Sequence, residues 1–177
     1  MSPRFEIQDA KVWHCGMMAR KLREETRDAL RRFDARAHQE LRDLFNQSAW
    51  KKVWLIDGEL GALGGVTGPT LAGGGTVWLA FSKLATRYPK AMAIEAKRQI
   101  EILSEHKREL SIAILPDDPA SLRFALYLGF SCENLPGSWG RRWNLRQIER
   151  NPDVRKPIGN SYVIPMVYRQ EAAPWQF

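Results

Sequence analysis

The sequence predicts an α+β (α/β) fold with the element order β-α-α-β-β-β-α-β-α-β. Two observations carry this order. Asp57-Gly58 joins two apolar runs, and this pattern indicates a hairpin because a tight primed turn needs positive φ at both central residues. The alternating segment Leu110–Leu115 runs directly into an apolar-faced helix that ends at Leu128-Gly129-Phe130. Strands and helices therefore follow each other within one chain of mixed type.

The first two helices precede most of the strands. Phe5–Ile7 is a short strand candidate, and residues 10–33 carry apolar positions at helical spacing, which include Met18 and Leu22. Asp34 offers a side-chain cap to the second helix. The buried stripe of that helix consists of Ala37, Leu41, Leu44 and Phe45.

Three antiparallel strands are expected next. Val53–Ile56 and Glu59–Val66 flank the hairpin turn, and Thr76–Phe81 reads as a buried strand. The glycine-rich stretch Gly64–Gly75 is expected to be a loop between the second and third of these strands. The segment therefore predicts a three-stranded meander.

The remaining elements alternate helix and strand. Pro89 suits the first turn of a helix that runs to about Lys107. The strand Leu110–Leu115, the helix Ala120–Leu128 and a final strand at Ser161–Tyr168 complete the order. We expect a single domain over residues 1–177, in which residues 131–177 form a C-terminal loop and the last strand.

The composition is that of an ordinary globular domain with a basic surface. The chain has 177 residues, a net charge of +7 and a sequence pI near 9.7. Such a charge implies anionic partners, which could be a phosphorylated cofactor, nucleic acid or an acidic protein surface. Basic and aromatic residues mix around Trp139 and Trp143, so weak nucleic-acid contact is one interpretation and a partly buried loop is the other.

Cysteine and histidine usage argues against disulfide and metal chemistry. The two cysteines and the lack of a secretory pattern at the N-terminus predict reduced thiols in the cytoplasm. His14, His38 and His106 lie far apart, which disfavours a metal site. His14 and Cys15 are neighbours that point in different directions on a helix, so we expect Cys15 in the core and no catalytic pair. No apolar stretch is long enough to span a membrane.

Several stretches carry a family resemblance. Residues 117–130, DDPASLRFALYLGF, resemble the last half of the acyl-CoA N-acetyltransferase (GNAT) fold. The segments VWHCGMMARKL, AWKKVWLIDGELGALGGVTG and KRELSIAILPDDPASLRFALYLGF are similar to GNAT-like proteins of tailed bacteriophages. That group includes acetyltransferases and relatives of the small internal virion protein of short-tailed phages. The resemblance covers roughly residues 5–130. It implies a mixed, mostly antiparallel sheet with helices on both faces, and two splayed central strands that hold acetyl-CoA in a cleft.

The resemblance implies a phosphate-binding turn, Gln/Arg-x-x-Gly-x-Gly/Ala, between the strand Thr76–Phe81 and the next helix. Here the turn reads KLATRYPKAMA; one register starts at Arg87, and the register shifted by one supplies Ala91 and Ala93 as small residues. Both registers depart from the pattern, so a solvated basic loop is the alternative. Asp118 stands where the family often has an asparagine, and it is equally suited to cap a helix. The implied cofactor contacts are Leu79, Ala80, Phe81, Lys83, Arg87, Lys90, Ala91 and Asp118.

The resemblance also implies a base on the strand Thr76–Phe81 and a tyrosine acid four residues before Gly129. The strand holds no carboxylate, and the acid position is Ala125. Tyr127 lies about 200° further round the helix and is expected to face away and to pack. The remaining candidate catalytic groups are Tyr127 and two carboxylates that are expected near the cleft, Glu59 and Glu133.

Three functions fit these residues. The first is an acetyl-CoA-dependent N-acetyltransferase that acts on an amine of a protein or small molecule. The second is a catalytically inactive internal virion protein of a bacteriophage, which binds other virion proteins. The third is a basic accessory protein that binds nucleic acid. The corresponding locations are the cytoplasm of a host cell or the virion.

Overall fold

A single mixed sheet with helices on both faces forms the protein. The computed structural model describes residues 3–32, 35–68, 73–132, 148, 155–158 and 161–169. The helices of these residues are Val12–Lys21 (α1), Glu24–Arg32 (α2), Ala37–Gln47 (α3), Pro89–Ser104 (α4) and Pro119–Leu128 (α5). The strands are Phe5–Asp9 (β1), Ser48–Ile56 (β2), Glu59–Thr67 (β3), Gly74–Phe81 (β4), Glu109–Ile114 (β5), Ser131–Cys132 (β6), Lys156–Ile158 (β7) and Ser161–Arg169 (β8).

The sheet is antiparallel except at its centre. The strand order is β1-β2-β3-β4-β5-β8-β6, and β7 pairs with β8 outside this path. Among the described pairs of strands, β4 and β5 alone are parallel, because α4 connects them as a crossover. The predicted mixed, mostly antiparallel sheet is confirmed. The short strands β6 and β7 had no sequence signal.

The hairpin between β2 and β3 turns at the predicted residues. Asp57 has φ 50° and Gly58 has φ 79°, as a primed turn requires. Asp57 also fixes β1, since it exchanges hydrogen bonds with Arg4 at 2.8 Å and 2.9 Å. The turn therefore sets the register of three strands.

The prediction of one helix over residues 10–33 is wrong. Leu22 interrupts it with φ −51° and ψ 140°, and its backbone forms a β-bridge with Ser82. The Leu22 side chain is fully buried in the core beneath α1 and α3. This tertiary pairing overrides helical periodicity and makes three helices, rather than two, before β2. The predicted positions Phe33 and Asp34 lie outside the described residues.

The prediction of a loop over Gly64–Gly75 is also wrong at both ends. Gly64 and Gly65 belong to β3, and Gly75 belongs to β4. A Cβ on Gly64 would lie 2.8 Å from Leu79 Cδ1, and one on Gly65 would lie 2.8 Å from the Trp50 carbonyl oxygen. Glycine is used at these positions because neighbouring strands approach too closely for any side chain.

Two apolar cores flank the sheet. The face beneath α4 and α5 buries Ile100, Leu110 and Leu122, and the face beneath α1 and α3 buries Met18 and Leu63. Each of these side chains contributes about 1.5–3 kcal/mol by leaving water. Within the part of the chain described, no helix is long and apolar enough to cross a membrane.

Candidate functional site

The two central strands separate midway along the sheet. β4 and β5 pair only at Gly74↔Glu109, Gly75↔Leu110 and Thr76↔Ser111. Beyond Thr76 the strands diverge, and a cavity of about 410 Å³ lies between them. We call the space between residues 77–81 and 112–114 the gap. The expected splayed strands are present.

The walls of the gap are mostly apolar and come from both faces of the sheet. Leu79 and Phe81 line it from β4, and Ile112 and Ile114 line it from β5. The predicted contacts on β4 were Leu79, Ala80 and Phe81. The side chain of Ala80 packs in the core beneath α1 and α3 and does not line the gap. The polar residues in the walls come from the helices, from the residues just before α2 and α5, and from β4: Arg23, Glu25, Thr26, Glu40, Thr76, Gln99, Asp118 and Ser121.

The backbone of β4 also faces the gap. Ser82 donates its N–H to the Gly61 carbonyl of β3, and the carbonyl of Phe81 points the other way and accepts from Arg23 N–H. Because backbone groups alternate along an antiparallel strand, the N–H and C=O of Leu79 face the same side as Phe81. The gap therefore presents hydrogen-bonding backbone groups along one wall.

The strands β4 and β5 are unpaired at the end of the gap near Phe81 and Asp118, which we call the open end. Side chains span this end. Arg23 donates to Asp118 at 2.9 Å and to Ser121 Oγ at 2.7 Å. The side chains of Arg23 and Asp118 are each 16% exposed. The Phe81 ring meets the Phe124 ring edge-on at 5.4 Å, and the Arg23 guanidinium lies 5.8 Å from the Phe81 ring centre.

Asp118 combines two roles at this end. Its other carboxylate oxygen accepts from the Ser121 backbone N–H at 2.9 Å, so it is the N-cap of α5. The capping interpretation of Asp118 is confirmed by this bond. Its ion pair with Arg23 joins residues that are 95 positions apart.

The predicted phosphate turn follows β4. Ala85–Arg87 forms a short 3-10 turn, and Pro89 begins α4 with no side-chain cap on its N-terminus. Lys83, Arg87 and Lys90 are exposed around this end of the helix. Lys83 pairs with Glu24 at 3.4 Å. Three cations thus surround the start of α4, where the helix dipole favours an anion.

The structure does not bring Ala91 and the candidate catalytic residues together at one place. Ala91 is half-buried in the first turn of α4. Glu59 pairs with Lys21 at 3.1 Å on the surface and is not in the walls of the gap. Tyr127 faces away from the gap as expected, but it is 49% exposed beneath Lys97, so the expected packing is wrong. Glu133 lies outside the described residues.

Ala125, at the position of the family's acid, is fully buried. The acidic side chains that do line the gap, besides Asp118, are Glu25 on α2 and Glu40 on α3. Neither was a candidate from the sequence, because no motif links these helices to β4. Arg23 was missed for the same reason. The amphipathic pattern of α2 and α3 was the one signal available, and it gives no position relative to the gap.

Cys15, Cys132 and His14 are buried and do not form a reactive cluster. Burial raises the pKa of the Cys15 thiol, and it raises the pKa of the Cys132 thiol to about 11. Burial lowers the pKa of His14, whose neutral Nδ1 accepts from Lys11 N–H at 2.8 Å. The described residues contain no group of three metal ligands. Trp139 and Trp143 lie outside them.

The Cys132 thiol predicts a loss of stability at high pH. Its folded pKa is about 11 and its ordinary value is 9.0, so the unfolded chain loses this proton first as the pH rises. Between about pH 8 and about pH 10 this group should remove roughly 1.4 kcal/mol of unfolding free energy. Urea unfolding at both pH values measures the loss. In Cys132→Ala the loss of unfolding free energy between the two pH values should be smaller by roughly 1.4 kcal/mol. An equal loss in the variant and the wild type would contradict the prediction.

Solved structures share this architecture. An acetyltransferase of the GNAT family from Streptococcus pneumoniae is 10% identical with a TM-score of 0.57, over 94% of this chain and 99% of that chain. Ard1 from Thermoplasma volcanium is 12% identical with a TM-score of 0.63, over 95% and 99%. The structure of AAC(6')-Ib in complex with ribostamycin and coenzyme A is 8% identical with a TM-score of 0.62, over 94% and 93%.

No family model and no curated protein matches the sequence. Identities of this size show a common fold, while function depends on the residues placed on it. The chain has the fold of the GNAT acetyltransferases.

Proposed function

We propose that the protein is an acetyl-CoA-dependent N-acetyltransferase that binds its cofactor in the gap. The observation that carries this proposal is the separation of β4 and β5 beyond Thr76 and Ser111, which leaves a lined cavity. Concave, mostly apolar cavities with a few polar groups are the usual ligand sites of proteins. AAC(6')-Ib, which has this fold, was solved with coenzyme A.

The residues around the gap suit the parts of acetyl-CoA. The cations Lys83, Arg87 and Lys90 would meet the pyrophosphate at the start of α4. The backbone N–H and C=O of Leu79 would hydrogen-bond the amides of the pantetheine arm. The apolar side chains of the gap would cover the rest of that arm.

The acceptor amine would approach from the side of α2 and α3. Glu25 and Glu40 line the gap there, and either carboxylate could accept the proton that the amine loses. Glu59 and Tyr127 face other surfaces. Holding the thioester and a deprotonated amine together supplies much of the rate of acyl transfer without an acid at Ala125.

Titration calorimetry with CoA and with acetyl-CoA tests the proposal. Arg87→Glu should weaken CoA binding about tenfold, since a phosphate contact becomes a repulsion of roughly 1.4 kcal/mol or more. Arg98→Glu is the matched control, because Arg98 is exposed on the same helix and pairs with Glu95. Absence of binding heat at high ligand concentration, or an equal effect of both changes, would contradict the proposal.

A catalytically inactive bacteriophage virion protein is the second candidate. Two observations favour the loss of catalysis that this role requires: the open end is spanned by Arg23, Phe81 and Phe124, and Ala125 stands at the position of the family's acid. This role predicts co-purification with virions and no acetyl transfer to any amine. CoA binding in the gap with measurable turnover would exclude it.

A further inference from the structure

Helix α2 is attached to the protein mainly by charge. Its sequence is EETRDALRR, and none of its nine residues is buried. The single large apolar side chain of this stretch, Leu30, packs only partly against the core beneath α1 and α3. A helix with so little buried surface gains little of its stability from packing.

Ion pairs hold both ends of α2 against the segments that bound the gap. At its start, Arg23 pairs with Asp118. At its end, Arg32 pairs with Asp117 in the same turn between β5 and α5. Glu24 pairs with Lys83 in the turn after β4.

These contacts place α2 over the open end of the gap. Arg23, Glu25 and Thr26 line the cavity, and Arg23 reaches across it from the Phe81 ring to Asp118. Leu22, which precedes Arg23, is held firmly by contrast, since its side chain is fully buried and its backbone forms a bridge with Ser82. A rigid point thus adjoins a loosely held helix.

We propose that α2 is a lid, held shut over the gap by the Arg23–Asp118, Arg32–Asp117 and Glu24–Lys83 ion pairs, which swings open to admit a ligand. Two of the three pairs are half-exposed or more, so they are weak and screened by salt. Opening would separate Arg23 from Asp118 and withdraw its guanidinium from the Phe81 ring. The identity of the ligand rests on the proposed function, but the motion of the lid does not.

Hydrogen exchange of the full chain, followed by mass spectrometry, tests the motion. Asp117→Asn removes one pair without altering α2 and should speed exchange of the α2 amides about twofold to fivefold, as one exposed pair supports. Raising the salt concentration should have the same effect in the wild type. Asp9→Asn is the control, because it removes the Asp9–Lys52 pair between β1 and β2, two residues that do not line the gap, and should leave α2 unchanged. Equal exchange of α2 in all three proteins, or salt-independent exchange, would overturn the lid.

CoA association at one fixed salt concentration tests whether the lid controls access. Asp117→Asn should raise the association rate by the same factor that it raises α2 exchange, and Asp9→Asn should not change it. An unchanged rate beside faster exchange would overturn the gating role. If CoA binds to none of the proteins while α2 opens as expected, the lid stands and the proposed function fails.

Discussion

Gly75→Ala should destabilise the protein by about 1–3 kcal/mol, because an added methyl group would overpack the sheet just before β4 and β5 separate. A Cβ at Gly75 would lie 2.5 Å from Val66 Cγ1 and 3.3 Å from the Thr67 carbonyl oxygen. Valine is stiff at χ1 and the carbonyl belongs to β3, so neither atom can move cheaply. The strain would fall beside the last paired residues, Thr76 and Ser111.

Gly74→Ala is the matched control, one residue earlier in the same strand. Its Cβ would meet only the Glu109 carbonyl oxygen, at an ordinary 3.8 Å. Alanine also restricts the unfolded chain, so this change should be neutral or stabilising by up to about 1 kcal/mol. Thermal unfolding should show a loss of about 2–4 °C per kcal/mol for Gly75→Ala and no loss for Gly74→Ala. Equal shifts would contradict the packing at the start of the gap.

Local signals were sufficient for the parts of the fold that depend on neighbouring residues. The Asp57-Gly58 turn needs positive φ at two adjacent residues, and this requirement is visible in the sequence. The helix before Gly129 ends in a left-handed glycine with φ 98°, which is an equally local cap. From Glu59 to Leu128 the predicted order of strands and helices follows from such signals and is confirmed.

The errors lie where distant parts of the chain meet. Leu22 belongs to a helical pattern, yet its backbone pairs with Ser82, 60 positions away. Gly64 and Gly65 have the composition of a loop. Glycine is needed there because Leu79 and Trp50 of the neighbouring strands approach closely, and the residues adjacent in the sequence do not show this. Propensity is a weak prior in both cases, and tertiary contacts decide the outcome.

The candidate site divides in the same way. Lys83, Arg87 and Lys90 could be predicted because a strand, a turn and a helix start follow each other in the chain. Arg23, Glu25 and Glu40 could not, since only folding brings α2 and α3 to the gap. The sequence therefore predicted the positions of the cations at the start of α4 better than those of the side chains that α2 and α3 bring to the gap.

Asp118→Ala should destabilise the protein by about 2–4 kcal/mol, because Asp118 both caps α5 and pairs with Arg23. Loss of an N-cap costs about 0.5–2 kcal/mol. The remainder comes from the Arg23 guanidinium, which would be left 16% exposed beside Phe81 without its carboxylate. Urea unfolding at neutral pH measures the sum.

Asp118→Asn separates the two contributions, since asparagine caps a helix as well as aspartate does but carries no charge. It should therefore cost about 1–2 kcal/mol, the part that belongs to the ion pair. Arg23→Gln breaks the same pair by removing its other partner, so the double variant should lose less stability than the sum of the two single losses. Additive losses would mean that Arg23 and Asp118 do not interact. In that case the Arg32–Asp117 and Glu24–Lys83 ion pairs alone would hold α2 over the open end.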